Sequence, residues 1–150
     1  MNTNLKDSDF SLAHGLARIG LGINIAMHGI TRLGMIPAFA AETVKMFSQT
    51  FLPQLLVNAT AYLIPPAELG IGLFLIAGLF LRPTLVLGLL LMFQLMFGMT
   101  LLQQWQISGL QLFYVSFYAV LLATAGWDYY SIDCWRKGSE QRPKIARSNS

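Results

Sequence analysis

Apolar residues fill four long stretches of the chain, and polar residues gather at the ends of those stretches or along one side of them. The first stretch, about 12–34, follows Asp9 and Ser11, whose side-chain oxygens can accept from the free N–H groups of a helix start. The second, 55–81, is interrupted by Pro65-Pro66. The third, 83–105, opens on Pro83, a residue suited to a first helical turn, and the fourth covers 108–127. Each is close to the about 20 apolar residues that carry a helix across a bilayer core. Arg82-Pro83 predicts a tight turn between the second and third spans, and Gln106 to Gly109 a turn between the third and fourth. In the longer connection from Met35 to Gln54, Phe39, Thr43, Met46, Phe47 and Phe51 recur near helical spacing. They predict a short amphipathic helix lying in the interface or capping the bundle. The expected fold is all-α: an integral membrane four-helix bundle over residues 1–134, with that short helix between its first two spans. A basic tail follows over 135–150.

Composition agrees. Hydrophobic residues make up 55% of the chain and charged residues 11%, against about 25% charged in soluble domains. Between Pro53 and Trp127 the charged side chains are Glu68 and Arg82 alone. This excludes a soluble enzyme, a nucleic-acid-binding domain and a disordered chain. The net charge of +3 arises in the tail, where Arg136, Lys137, Arg142, Lys144 and Arg147 outnumber Asp133 and Glu140. Four spans place both termini and Arg82 on one side, and the excess of Lys and Arg there marks it as cytoplasmic. Ala38-Phe39-Ala40 resembles a signal-peptide cleavage site, but Arg18, His28 and Arg32 make the preceding stretch a poor signal core. The single cysteine, Cys134, rules out an internal disulfide and Cys-based metal clusters.

Ionisable groups inside a membrane are costly, so each is a functional candidate. His14, Arg18, Leu21, Ile25, His28 and Arg32 form one stripe on the first span, with Asn24 beside it. Counting along ideal helices puts His28 roughly 24 Å and Glu68 roughly 21 Å from the cytoplasmic boundary. Arg32 falls one turn further out, Gln103 and Gln104 end the third span at that level, and Gln111 and Tyr114 begin the fourth. A candidate ligand site therefore consists of His28, Arg32, Glu68, Gln104, Gln111 and Tyr114. It is expected to be a cavity open to the outer interface, with His28 and Glu68 in hydrogen-bonding reach, directly or through one water, beside a helix broken at Pro65-Pro66. The competing reading is an interhelical polar lock, although such bonds average only about 0.6 kcal/mol in membranes. Arg18, with Asp128 or Asp133, is read as a structural ion pair stapling the first span to the last. Met92, Met96, Met99 and Gln103 share one face of the third span; thioethers suit Cu(I), but methionine also fills irregular cores, and no metal site is expected. His14 and His28 lie roughly 21 Å apart along one helix, too far to clamp one haem iron.

The segments RIGLGINIAMHGITRLG, PPAELGIGLFLIAGLFLRP and YYSID resemble the DoxX family of small bacterial membrane proteins. The matching positions are Arg18, His28, Gly29, Arg32, Glu68, Gly70, Gly78, Arg82, Ser131 and Asp133. The resemblance implies a four-helix bundle in the bacterial inner membrane, related to subunits of a thiosulfate:quinone oxidoreductase. Two functions from different classes follow: a quinone-interacting redox-associated subunit whose electrons come from a partner protein, or a non-enzymatic scaffold or assembly factor. Transport of a small solute along the polar stripe is a third. No covalently bound cofactor is expected; a quinone is the candidate ligand. The lipid bilayer and either a partner protein or further copies of the chain are the expected partners, and nucleic acid is not.

Overall fold

A computed structural model of the protein describes residues 3–136; Lys137, Arg142, Lys144 and Arg147 of the basic tail lie outside them. The elements are α1 (Thr3–Leu33), α2 (Ile36–Phe47), α3 (Gln54–Ala77), α4 (Leu81–Leu101), α5 (Trp105–Ala123), a 3₁₀ turn (Ala125–Trp127) and α6 (Ile132–Arg136). Among the described residues, four segments are long and apolar enough to cross a membrane: Asp7–Leu33, Gln54–Ala77, Leu81–Leu101 and Trp105–Ala123.

The spans associate as two antiparallel pairs. α1 lies against α3 through small residues, because only a missing side chain lets two backbones come this close. A Cβ on Gly29 would sit 2.5 Å from the Leu69 amide nitrogen and 2.7 Å from the Pro65 carbonyl oxygen. One on Gly22 would sit 2.9 Å from the Gly72 carbonyl oxygen. α4 pairs with α5, the ring of Tyr118 filling the space that Gly88 leaves. α3 also packs on α4, which joins the pairs, whereas α1 and α5 barely meet. Leu21, Ile25, Leu75, Leu85, Met92 and Tyr118 belong to the shared core.

We call the end where α1 begins proximal and the other distal. At the proximal end α3 stops at Ala77 because Gly78 adopts the left-handed conformation, φ 65°, that ends helices. Phe80 is also left-handed. The turn is therefore 78–80, and Arg82-Pro83, expected to form it, lie in the first turn of α4. At the distal end Gln103, φ 57°, turns the chain between α4 and α5, earlier than Gln106 to Gly109. The expected break at Pro65-Pro66 is absent. α3 runs through both prolines, with Pro65 buried. The carbonyls of Ala61 and Tyr62 simply lose their usual i+4 donors.

α2 covers the distal end. It packs on α3, Ala40 and Phe47 are buried, and the Phe47 ring touches Gly98 of α4. Exposed apolar side chains cover the lipid-facing surfaces of the bundle, among them Leu63, Leu87, Phe97, Leu112, Phe113 and Val120.

Candidate functional site

The polar side chains inside the bundle fall into two layers. The proximal layer is built around Arg18, which is 1% exposed. Its Nη1 donates to the carbonyls of Leu75 (2.5 Å) and Ile76 (3.3 Å), at the C-terminal end of α3. Nη2 donates to the Tyr130 carbonyl at 2.8 Å. The cation thus satisfies carbonyls that a helix end leaves free, and it meets the negative end of the helix dipole. Arg18 Nε lies 3.6 Å from Asp128 Oδ1, an ion pair without a hydrogen bond. Asp133, the other acid expected to pair with Arg18, instead accepts from the Leu81 N–H at 3.0 Å and donates its own N–H to the Gly78 carbonyl at 3.1 Å. It fastens the chain after α5 to the start of α4, where the helix presents free N–H groups. His14 Nδ1 and Thr124 Oγ1 are 2.9 Å apart. A cavity of about 850 Å³ opens beside this layer, lined by Arg82, Asp128, Tyr129, Ser131, Asp133 and Cys134 among others.

The second layer lies deeper. Arg32 Nη1 donates to both carboxylate oxygens of Glu68, at 2.7 and 2.6 Å. Glu68 is 3% exposed. Side chains on helices lean toward their own N-termini, so Arg32 leans proximally and Glu68 distally, and the antiparallel helices bring them together. Glu68 sits about 14 Å along α3 from the helix end at Ala77, and it meets Arg32 in the last turn of α1. The Arg32 guanidinium lies 5.2 Å from the centroid of the Phe39 ring. α2 thus shields one side of the pair, while the Arg32 side chain stays 31% exposed.

His28 does not join this layer. It is exposed, and no hydrogen bond links it to Glu68 among the described residues. The glycine contacts explain why: α1 meets α3 along Gly22, Ala26 and Gly29, and His28 is rotated off that line. Gln104 is exposed at the distal turn and stays apart as well.

The α5 residues enter differently. Gln111, Tyr114 and Tyr118 recur at i, i+3 and i+7, so they share one face. The Tyr114 hydroxyl donates to Asn24 Oδ1 at 2.9 Å, a bond across the α1–α5 seam. Among the described residues, Gln111 Oε1 and the Tyr118 hydroxyl are buried without a hydrogen-bond partner. Tyr118 itself is 0% exposed and belongs to the shared core. Tyr118 was not among the residues singled out in the sequence. The signal was its place one turn beyond Tyr114, disguised by the aromatic residues around it.

Orphaned buried polar atoms are uncommon and call for an explanation. In the proximal layer His14 Nε2, Arg18 Nε and Asp128 Oδ1 also lack hydrogen bonds. There, however, Arg18 and Asp128 neutralise each other at ion-pair distance. His14 Nε2, Tyr118 and Gln111 have no such compensation; two of the three stand on one face of α5, which makes that face a candidate for contact with a ligand.

Neither a curated relative nor a solved structure matches the chain. The sequence profile of the DoxX family matches residues 14–105, well over half of it, from the proximal layer on α1 through α4. The chain is a member of the DoxX family.

Proposed function

We propose that this DoxX-family membrane protein binds a quinone within its bundle and serves as the quinone-interacting subunit of a redox system. It sits in a bacterial inner membrane with both termini in the cytoplasm. The reading rests on one observation: a phenol hydroxyl, fully buried and without a hydrogen-bond partner among the described residues, lies in a hydrophobic core. Leaving such a group unpaired costs about 1–3 kcal/mol, and a ligand oxygen would remove that cost. Reduction of a quinone to a quinol takes up two electrons and two protons. A partner protein supplies the electrons. Glu68 and Tyr118 supply hydrogen bonds and a place for protons.

The test is equilibrium binding of a short-chain quinone to the purified protein in lipid nanodiscs. Saturable binding, weakened about tenfold by Tyr118→Phe, is expected. Absence of saturable binding overturns the reading.

A second reading, a scaffold for a partner protein, draws on the Arg32–Glu68 contact, which is complete without a ligand. Under it the polar layer only locks helices. Tyr118→Phe would then leave both fold and partner binding unchanged, and co-purification of a stable partner from native membranes would be its positive sign.

A further inference from the structure

Two side-chain hydrogen bonds fasten the seam between α1 and α5 among the described residues. His14 holds Thr124 at the proximal end, and Asn24 accepts from Tyr114 further along. The two are separated by about 15 Å of helix. Elsewhere the two helices barely meet. Asn24 is exposed and Tyr114 half-buried, so their bond lies at the surface that faces lipid. On the same α5 face, one turn to either side of Tyr114, stand the buried and unpartnered Gln111 Oε1 and Tyr118 hydroxyl.

We propose that a lipid-borne ring compound with oxygen at both ends reaches its seat laterally, from the bilayer, by parting the Asn24–Tyr114 bond. Its oxygens then take up the two orphaned groups. Gln111 accepts a hydrogen bond through Oε1 from a quinol hydroxyl and, with its amide turned over, donates one through Nε2 to a quinone carbonyl. The Tyr118 hydroxyl donates one, which a carbonyl or the second oxygen can accept. The two residues are seven positions apart, about 10.5 Å along the helix, long enough to flank a ring between them. The apolar rims of the seam, Ile23 on α1 and Phe113 and Phe117 on α5, are exposed and suit an isoprenoid tail left in lipid. This inference rests on the quinone reading and adds to it the seat, the route and the contact residues.

The experiment is photolabelling of the full chain in nanodiscs with an azido-quinone of short tail, followed by peptide mapping and by the time course of labelling. Expected is saturable label on the α5 peptide, and about tenfold weaker labelling in Tyr118→Phe. Tyr114→Phe and Asn24→Ala, which unfasten the seam, should quicken the onset of labelling about fivefold. Melting temperatures measured in parallel show that each variant is folded. Should Tyr118→Phe fail to fold, Gln111→Leu takes its place, with the same loss expected. Saturable label that maps to peptides 78–83 or 125–134 places the ligand in the proximal cavity; the seat is then wrong and the quinone reading stands. An unchanged time course in both seam variants overturns the lateral route. Absence of saturable label on the wild-type chain overturns the quinone reading and this inference with it.

Discussion

Arg18 carries more structure than any other single side chain. Its guanidinium joins α1 to the end of α3, to the Tyr130 carbonyl and to Asp128, while almost fully buried. Truncation would leave Asp128 as a buried, unpaired charge and would free two helix-end carbonyls. Arg18→Ala is therefore expected to destabilise the fold by about 3–5 kcal/mol, the range for breaking a buried ion pair. Thermal melting of purified protein checks it. Arg18→Lys keeps the charge but loses the planar fork that reaches several carbonyls at once, so it should fall between wild type and Ala. Glu68 behaves differently from what its position in the sequence suggests. With Arg32 held at 2.6–2.7 Å, Glu68→Gln removes a counter-ion and should destabilise by about 1.5–3 kcal/mol whether or not a ligand binds. A melt of Glu68→Gln unchanged from wild type would mean the pair is not held in the membrane. Tyr118→Phe, which removes only an unpartnered hydroxyl, is the cleaner probe of binding.

At the scale of helices, the close α1–α3 contact rests on glycine. Adding a methyl group to Gly29 drives it against the backbone of Leu69 and Pro65, which cannot yield as a flexible side chain can. Gly29→Ala should lower stability by about 1–3 kcal/mol, the usual effect of overpacking. Gly20 and Gly70 face open space, so Ala at either position should change the melt little. Equal effects at all three positions would show that helix propensity, not contact, governs the pair. The helices themselves were legible because a membrane helix must be a long apolar run, and four such runs are plain in the sequence. Their ends were less so. Pro83 suggested a start, but the left-handed Gly78 ends α3 four residues before the second apolar run stops at Leu81. Pro65-Pro66 suggested a break, yet helix–helix packing carries α3 through. The pairing of Arg18 with Asp128 was readable from charge at matched depth. That His28 turns away from Glu68 was not, because the direction of a side chain depends on which face of α1 meets α3, and small residues rather than polar ones decide that face.

For the molecule as a whole, the contacts at the proximal end bear on orientation. Phe10 stacks on Trp127 with ring centroids 5.3 Å apart, and Arg18 meets both the end of α3 and Tyr130. The start of α1, the α3–α4 turn and the chain after α5 therefore share one end. Arg82 is exposed there, and the basic residues of the tail follow in sequence. At the distal end Arg32 is drawn into the bundle by Glu68, the turn at 102–104 is uncharged, and Lys45 of α2 is the basic residue left outside. Since the excess of Lys and Arg close to the membrane sets orientation, the proximal end should face the cytoplasm. A fluorescent protein fused after Ser150 should then be bright and alkaline phosphatase at the same position inactive. Phosphatase fused into the turn at 102–104 should be active. Arg82→Ala should not invert this pattern, because the tail keeps the asymmetry, whereas neutralising the tail lysines and arginines together with Arg82 should produce a mixed population. An active phosphatase after Ser150 in the unaltered chain would reverse the orientation. It would also turn the proximal cavity, with Asp128, Asp133 and Cys134, toward the periplasm. The Asn24–Tyr114 seam would stay within the bilayer either way, so lateral access to Tyr118 does not depend on which way the protein is inserted.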